Sequence, residues 1–266
     1  MNGQVHYERS GHGQPLVFLH PVGLDGSFWG ALPGRCAESF SVVTVDLPGH
    51  GRAGPAPRPG DMAYYARTVA ELVKELDSGP AILIGLSFGG MIAQNVAVAY
   101  PEQVAGLITC GCPGRMPEAA REAILARGRE AEAGGMEAVV PATLERWFTP
   151  GFRSSPEVEA VRQRLLSDDV SAWSAAWEAI SGHDALGALS KLAIPALVVA
   201  GDKDAATPLE ASQALAAAIP GSKLAVLPGA PHMMQIETAD AFAVAVLDFL
   251  AASFGSPIRG EAARRA

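Results

Sequence analysis

The sequence predicts an α/β protein with a mostly parallel central sheet, helices on both faces of that sheet and one inserted helical segment. Six short apolar runs recur along the 266 residues, and helical patterns separate most of them. Short, nearly continuous apolar runs are typical of strands that are covered on both faces. Strands that alternate with helices pair mostly in parallel. A long stretch after the fourth apolar run contains helical patterns alone, which predicts the insertion.

The individual strands and helices follow from these local patterns. The apolar runs place strands at residues 16–19, 42–45, 81–84, 104–110, 196–200 and 224–227. Apolar residues at helical spacing predict helices at 61–77 and 240–253, with Asp61 as the N-cap of the first. Another helix begins after residue 87 and ends at Tyr100, because the next residue is proline.

Residues 114–187 form the predicted insertion. Helical patterns lie at 119–133, 136–148, 158–166 and 171–180, and no strand pattern interrupts them. We therefore predict a discontinuous core of residues 1–113 and 188–256 around this segment. Residues 257–266 are small, polar and basic, and we expect a flexible tail there.

Composition and charge are typical of an ordinary globular protein. The net charge of −8 argues against nucleic acid as a partner. No apolar run approaches the roughly 20 residues that a membrane helix needs, and the first residues lack a signal-peptide pattern. We therefore expect a cytoplasmic protein without a membrane partner. Cys36, Cys110 and Cys112 are too few and too irregular for a disulfide framework or a zinc site, so we expect no metal.

The pentapeptide Gly85-Leu86-Ser87-Phe88-Gly89 directly follows the apolar run 81–84 and opens a helical pattern. A G-x-S-x-G motif between a strand and a helix predicts a sharp turn that exposes the serine hydroxyl as a nucleophile. The alternative is a glycine-rich turn with an incidental serine. A nucleophilic serine needs a base histidine and an acid that orients the histidine.

The later strands supply both partners at their carboxyl ends. His232 follows the run 224–227, and a loop with Asp202 and Asp204 follows the run 196–200. The order serine, aspartate, histidine is that of the α/β hydrolases. The alternative is that His232 is a solvated loop histidine. That alternative does not explain why a serine, an aspartate loop and a histidine all follow strands in this order. Either Asp202 or Asp204 is compatible with this arrangement. The other aspartate is then expected to be a turn residue that forms a hydrogen bond within its own loop.

Acyl transfer also needs two N–H donors for the tetrahedral oxyanion. The residue after the nucleophile, Phe88, supplies one. The other is expected from the loop after the strand 16–19, where Pro21 has no N–H and Val22 has one. His20 in the same loop is expected to brace the backbone.

Arg146-Trp147-Phe148 stands out in the insertion, because a guanidinium group beside large apolar residues offers a two-bond fork to a carboxylate. A structural role for these residues is the alternative. Trp173 and Trp177 are four residues apart on one helix face, and we expect them to belong to the core.

Several segments together resemble the 3-oxoadipate enol-lactonases, α/β hydrolases of the β-ketoadipate route of aromatic breakdown. Similar segments are D-L-P-G-H-G-R at 46–52, G-L-S-F-G-G-M-I-A-Q at 85–94, G-G-M at 134–136, L-E-R-W-F-T-P at 144–150 and the acid loop at 201–208. Two positions differ from the family pattern. Ala53 stands where the broader family usually has serine, and His20-Pro21 stands where many enol-lactonases have a loop that contains asparagine. The resemblance implies the α/β-hydrolase fold with residues 114–187 as a lid, Val22 as an oxyanion residue, Asp204 as the acid, and Arg146 and Trp147 as substrate contacts.

The resemblance also implies the activity: a serine hydrolase that opens a small carboxylated enol-lactone or ester through an acyl-enzyme, without a metal or cofactor. The catalytic residues are then Ser87, Asp204 and His232. Its partner is a small anionic substrate, and a homo-oligomer is one form that the sequence allows. The alternatives are another carboxylesterase or lactonase, a carbon–carbon bond hydrolase or cofactor-free oxygen-using enzyme on the same triad, and a non-catalytic ligand receptor.

Overall fold

A computed structural model describes residues 5–255. Within them, seven strands form one sheet in the order β1-β3-β2-β4-β5-β6-β7. The strands are β1 His6–Gly11, β2 Pro15–Leu19, β3 Ser41–Asp46, β4 Ala81–Leu86, β5 Val104–Cys110, β6 Ala196–Gly201 and β7 Lys223–Leu227. The predicted tail at 257–266 lies outside the described residues.

All six predicted strands are present, and neighbours among β2 to β7 pair in parallel. Every residue of β4 is buried, although successive side chains point to opposite faces, so both faces of the sheet are covered there. Strand β1 was not predicted. It pairs antiparallel with β3 at the edge of the sheet, and its exposed sequence HYERSG has no apolar pattern to reveal it.

Outside the insertion three helices were predicted, at 61–77, from the residue after Ser87 to Tyr100, and at 240–253, and each begins and ends close to these bounds. Seven of the described helices are α1 Leu32–Cys36, α2 Met62–Glu75, α3 Phe88–Ala99, α8 Leu186–Leu189, α9 Leu209–Ala218, α10 Met234–Glu237 and α11 Ala239–Phe254. Of these, α1, α8, α9 and α10 were not predicted. Short 3₁₀ turns lie at Pro101–Gln103 and Glu118–Ala120. Asp61 caps α2 as predicted, since its carboxylate accepts from the Ala63 N–H at 3.1 Å. No helix within residues 5–255 is both long and apolar enough to cross a membrane.

The segment between β5 and β6 contains the four predicted helices. They are α4 Arg121–Gly134, α5 Met136–Trp147, α6 Pro156–Leu166 and α7 Val170–Ser181. Gly128 of α4 packs directly on Ser174 of α7, and Trp173 and Trp177 lie in edge contact with centroids 5.6 Å apart, buried as expected. We call these four helices the inserted helices; the exact division of the chain into core and lid stays a prediction.

Candidate active site

A sharp backbone turn holds Ser87 at the carboxyl end of β4. Ser87 alone separates β4 from α3, and its φ of 52° lies where non-glycine residues are uncommon. A Cβ atom on Gly85 would overlap the carbonyl of Gly89, and one on Gly89 would overlap the carbonyl of Leu19. The turn therefore requires glycine at both positions, and it has the form that lifts a nucleophilic serine above a sheet.

Asp204 and His232 form a buried pair. Oδ2 of Asp204 lies 2.9 Å from Nδ1 of His232, and the two side chains are 1% and 2% exposed. The other oxygen, Oδ1, accepts from the backbone N–H groups of Ala206 and Thr207, both at 2.8 Å. Because an ionised carboxylate only accepts, the Nδ1–H of the imidazole donates to it, which leaves Nε2 free to take a proton.

The end of β5 joins this pair to the serine turn. The N–H of Ser87 donates to the carbonyl of Cys110 at 2.8 Å. The next residue, Gly111, lies against the pair: a Cβ atom there would be 3.2 Å from Oδ2 of Asp204 and 3.3 Å from Nδ1 of His232. The structure thus brings Ser87, Asp204 and His232 to one edge of the sheet.

The structure also distinguishes the two candidate aspartates. Asp202 does not bond His232; its Oδ1 accepts from the N–H of Gly229 at 2.7 Å. The expectation that Asp202 bonds its own loop was wrong, since Gly229 belongs to the loop that carries His232. Asp202 therefore ties the acid loop to the histidine loop.

The loop after β2 forms a turn from Pro21 to Leu24, closed by the Leu24 N–H on the Pro21 carbonyl at 3.3 Å. Gly23, at the third position, has a φ of 77°. This geometry is that of a type II turn, in which the N–H of the second residue, Val22, is outside the closing bond. Phe88 begins α3, so its N–H has no acceptor within the helix. The N–H groups of Val22 and Phe88, the two predicted oxyanion donors, are therefore not used by the hydrogen bonds of the turn or of the helix.

His20 is fixed at both ring nitrogens. Its Nε2 accepts from the Leu47 N–H at 2.9 Å, so Nδ1 carries the proton and donates to the Pro21 carbonyl at 2.8 Å. Burial lowers the pKa of His20 to about 4. A neutral histidine with both nitrogens occupied has the bracing geometry expected from the sequence.

An ionic cluster lies behind this loop, and no sequence pattern indicated it. Arg164 of α6 donates through Nε to Oδ2 of Asp25 at 2.8 Å and contacts Oδ1 of Asp168 at 2.6 Å. Burial raises the pKa of Asp168 to about 7, and the carboxylates of Asp25 and Asp169 add to the shift while Arg164 opposes it.

Two partly buried arginines of the inserted helices have no carboxylate partner among the described residues. Within residues 5–255, neither Arg127 nor Arg146 forms a salt bridge, although both are partly buried. Trp147, next to Arg146, is buried with its ring centroid 6.2 Å from that of His232. Arg127 was not predicted; its guanidinium lies 4.5 Å above the Trp177 ring, a contact between helices that no local spacing reveals.

The electrostatics of the two arginines are coupled. Burial, together with the charge of Arg146, lowers the pKa of Arg127 to about 10. Burial also lowers the pKa of Arg146, while Glu130 and Glu145 oppose that shift. Both groups stay cationic at neutral pH and are incompletely compensated. Among residues 5–255, no group of three or more histidine, cysteine or carboxylate side chains is arranged to hold a metal ion.

The alpha/beta hydrolase family matches residues 16–246, and the chain belongs to this family. The protein is therefore a hydrolase of the fold that its sheet and serine turn define. It is 30% identical to 3-oxoadipate enol-lactonase 2 of Acinetobacter baylyi over 233 residues, 87% of this chain and 86% of that protein. It is 28% identical over 205 residues to the (E)-2-((N-methylformamido)methylene)succinate hydrolase of the same organism, 76% of this chain and 77% of that protein.

A solved structure of an enol-lactonase is also similar to this chain. The enol-lactonase from Burkholderia xenovorans LB400 superimposes with a TM-score of 0.87 at 29% identity, covering 92% of this chain and 96% of that one. The resemblance to enol-lactonases that the sequence motifs indicated is confirmed by these comparisons.

We expect Asp204→Asn to lower kcat by orders of magnitude and Asp202→Asn to leave it nearly unchanged. The amide introduced at position 204 would no longer hold the Nδ1–H tautomer or stabilise the imidazolium. Asp202 bonds the backbone N–H of Gly229, and the side-chain oxygen of asparagine can accept the same bond. Steady-state kinetics of both variants on one ester substrate test this, and a larger loss in Asp202→Asn would reverse the assignment.

Asp168 should make the protein less stable as pH rises from about 4 to 7. The pKa of Asp168 is about 7 in the folded state and 3.8 in the unfolded state. Between these pH values the folded state binds more protons than the unfolded state, so the free energy of unfolding falls as pH rises. Asp168→Asn cannot ionise but keeps an acceptor for Arg164. The free energy of urea unfolding of this variant, relative to wild type, should increase between pH 5 and pH 8.

The matched control is Asp169→Asn, which removes the neighbouring exposed carboxylate and retains an N-cap for α7. A constant difference between Asp168→Asn and wild type across this pH range would contradict the expectation.

Proposed function

We propose that the protein is a serine hydrolase that opens a small carboxylated enol-lactone or ester through an acyl-enzyme on Ser87. The observation that carries this proposal is the buried Asp204–His232 bond of 2.9 Å at the same sheet edge as the strained turn of Ser87. This constellation, rather than the fold alone, indicates covalent acyl transfer.

The chemistry follows from the roles of these groups. Ser87 Oγ attacks the carbonyl carbon of the lactone while Nε2 of His232 takes its proton, and Asp204 stabilises the imidazolium. The N–H groups of Val22 and Phe88 hold the oxyanion. The ring C–O bond then breaks, and His232 returns the proton to the leaving enolate oxygen. The product is an acyl-enzyme that carries the enol on the same molecule. His232 next deprotonates water, which attacks the acyl carbon. The bond from that carbon to Ser87 Oγ then breaks as His232 returns the proton to Oγ, which releases the acid and restores the serine.

The incompletely compensated charges of Arg127 and Arg146 support a substrate with a carboxylate. Arg146 lies in the last turn of α5, directly before Trp147, whose ring stands beside His232. Arg127 adds a second cation that is partly buried and coupled to Arg146. A guanidinium without a partner in a partly dry environment favours an incoming carboxylate.

The names of the two Acinetobacter baylyi relatives describe an oxoadipate lactone and a succinate derivative, both carboxylated compounds. On this basis we propose that the protein acts in cytoplasmic breakdown of aromatic compounds by the β-ketoadipate route. The residues of the site carry the reaction without a cofactor in this proposal.

Ser87→Ala tests the proposed chemistry. The variant should fold normally, because alanine is no larger than serine at this turn, and it should lose a factor of about 10³ or more in turnover. The measurement is hydrolysis of p-nitrophenyl esters and of synthetic enol-lactone, with circular dichroism as the check on folding. Wild-type rates in the purified variant would exclude Ser87 as the nucleophile.

Arg146→Ala tests the anionic substrate. Charged hydrogen bonds contribute roughly 1.5–3 kcal/mol, so kcat/KM on a carboxylated lactone should fall about ten- to a hundredfold. A neutral ester of similar size should be affected weakly. Arg146→Lys should recover only part of the loss, because an ammonium group cannot reproduce the two-bond fork.

Arg129→Ala serves as the control, since Arg129 is an exposed arginine of α4 that pairs with Glu122. Equal losses on the charged and neutral substrates in Arg146→Ala would mean that Arg146 only supports the insertion, and the anionic-substrate proposal would be wrong.

A further inference from the structure

We propose that Arg164 is a positioning residue for the oxyanion loop, residues 20–25: its ion pairs hold Val22 in place by tying the core to the inserted helices. This inference rests on the proposed function, in which the Val22 N–H stabilises the oxyanion. Arg164 lies in the last turn of α6, and its side chain is 14% exposed.

Arg164 joins two carboxylates that belong to different parts of the fold. Asp25 ends the oxyanion loop in the core, and Asp168 lies between α6 and α7. Their side chains are 17% and 3% exposed, so both ion pairs lie largely out of water. Oδ2 of Asp168 has no hydrogen-bond partner among the described residues, so Arg164 is the group that compensates this carboxylate.

The inserted helices also touch the middle of the loop directly. A Cβ atom on Gly23 would overlap Leu165 and would lie 2.8 Å from Cζ3 of Trp173 and 3.1 Å from Oδ2 of Asp168. The backbone next to Val22 therefore rests on α6, α7 and the turn between them. No side chain larger than hydrogen fits between the loop and these helices.

The core, by contrast, holds the two ends of the loop. At one end, His20 bonds the Leu47 N–H and the Pro21 carbonyl. At the other end, the Gly26 N–H donates to Asp46 at 2.9 Å, and Asp25 accepts from Ser27. Between these anchors, the position of Val22 depends on the contact with the inserted helices.

Removing the charge of Arg164 should weaken that contact in a specific way. Without the guanidinium, Asp25 and Asp168 would both lose their ion-pair partner, and Asp168, whose pKa is already about 7, would take up a proton. The link that ties the core to the inserted helices would then be broken. The turn at Gly23 would lose its support, and the Val22 N–H would move from the place where the oxyanion forms. Such a shift weakens binding of the transition state more than binding of the substrate.

Arg164→Met is the main test, with the ester or lactone that the wild-type enzyme hydrolyses. Loss of one oxyanion donor costs about 10²–10³ in kcat, so a displaced donor should cost about ten- to a hundredfold, with KM within roughly threefold of wild type. A trifluoromethyl ketone, which forms a tetrahedral adduct with a serine, should bind more weakly by a similar factor. The carboxylic acid product should bind as it does to wild type.

Two further variants make the test specific. Arg162→Met removes a more exposed arginine of the same helix, which pairs with Glu159 three residues away, and it should leave both inhibitors and kcat unchanged. Arg164→Lys keeps a cation between the carboxylates but loses the fork, so its kcat should lie between those of wild type and Arg164→Met. If Arg164→Met does not fold, the comparison of the two inhibitors in Arg164→Lys decides the question.

An unchanged kcat and an unchanged affinity for the trifluoromethyl ketone in Arg164→Met would overturn the inference. Equal weakening of the ketone and the product acid would also overturn it, since Arg164 would then shape the binding pocket and not the oxyanion loop. These results differ from failure of the proposed function, which would appear as an active Ser87→Ala. With Ser87→Ala inactive and Arg164→Met normal, only the positioning role would be wrong.

Discussion

The close crossing of the chain at the end of β4 is the constraint on which the site depends. Gly85 meets Gly89 where the two arms of the turn cross, and Gly89 lies against the carbonyl of Leu19 at the end of β2. Because β2 and β4 are parallel neighbours, this contact brings the oxyanion loop after β2 beside Ser87. The bond from Ser87 to Cys110 does the same for the end of β5, and through Gly111 for Asp204 and His232. A side chain at either glycine would therefore displace all of these groups from one another at once.

Much of the fold was predictable because its signals are local. A strand covered on both faces must be apolar throughout, so the strands β2 to β6 were evident, and Asp61 marked the start of α2. Strand β1 escaped prediction because an exposed edge strand is held by its backbone pairing with β3, which leaves no apolar pattern in the sequence. The carboxyl ends of parallel strands meet at one edge, so the chain order of Ser87, the aspartate loop and His232 was enough to indicate a common site.

The remaining site residues depend on contacts between distant parts of the chain. Arg164 and Asp25 are 139 positions apart, and neither has a neighbouring residue that indicates the other. Asp202 similarly bonds Gly229, 27 positions away, which is why its expected local turn was wrong. Arg127 looks like an ordinary helix residue until its position above Trp177 is known. Such pairs form when the inserted helices and the loops pack in the folded chain, so only the three-dimensional structure reveals them.

The core and the inserted helices contribute different physical elements to the site. Burial lowers the pKa of His20 to about 4 and that of His50 to about 3, so the core histidines around the oxyanion loop stay neutral. The incompletely compensated positive charge comes instead from Arg127 and Arg146, whose guanidinium groups remain charged across the physiological range. In the proposed mechanism the sheet supplies the nucleophile and its base, while the inserted helices attract the substrate anion and support the oxyanion loop. Substrate choice and oxyanion stabilisation then depend on one docked segment, and its ion pairs with the core affect both.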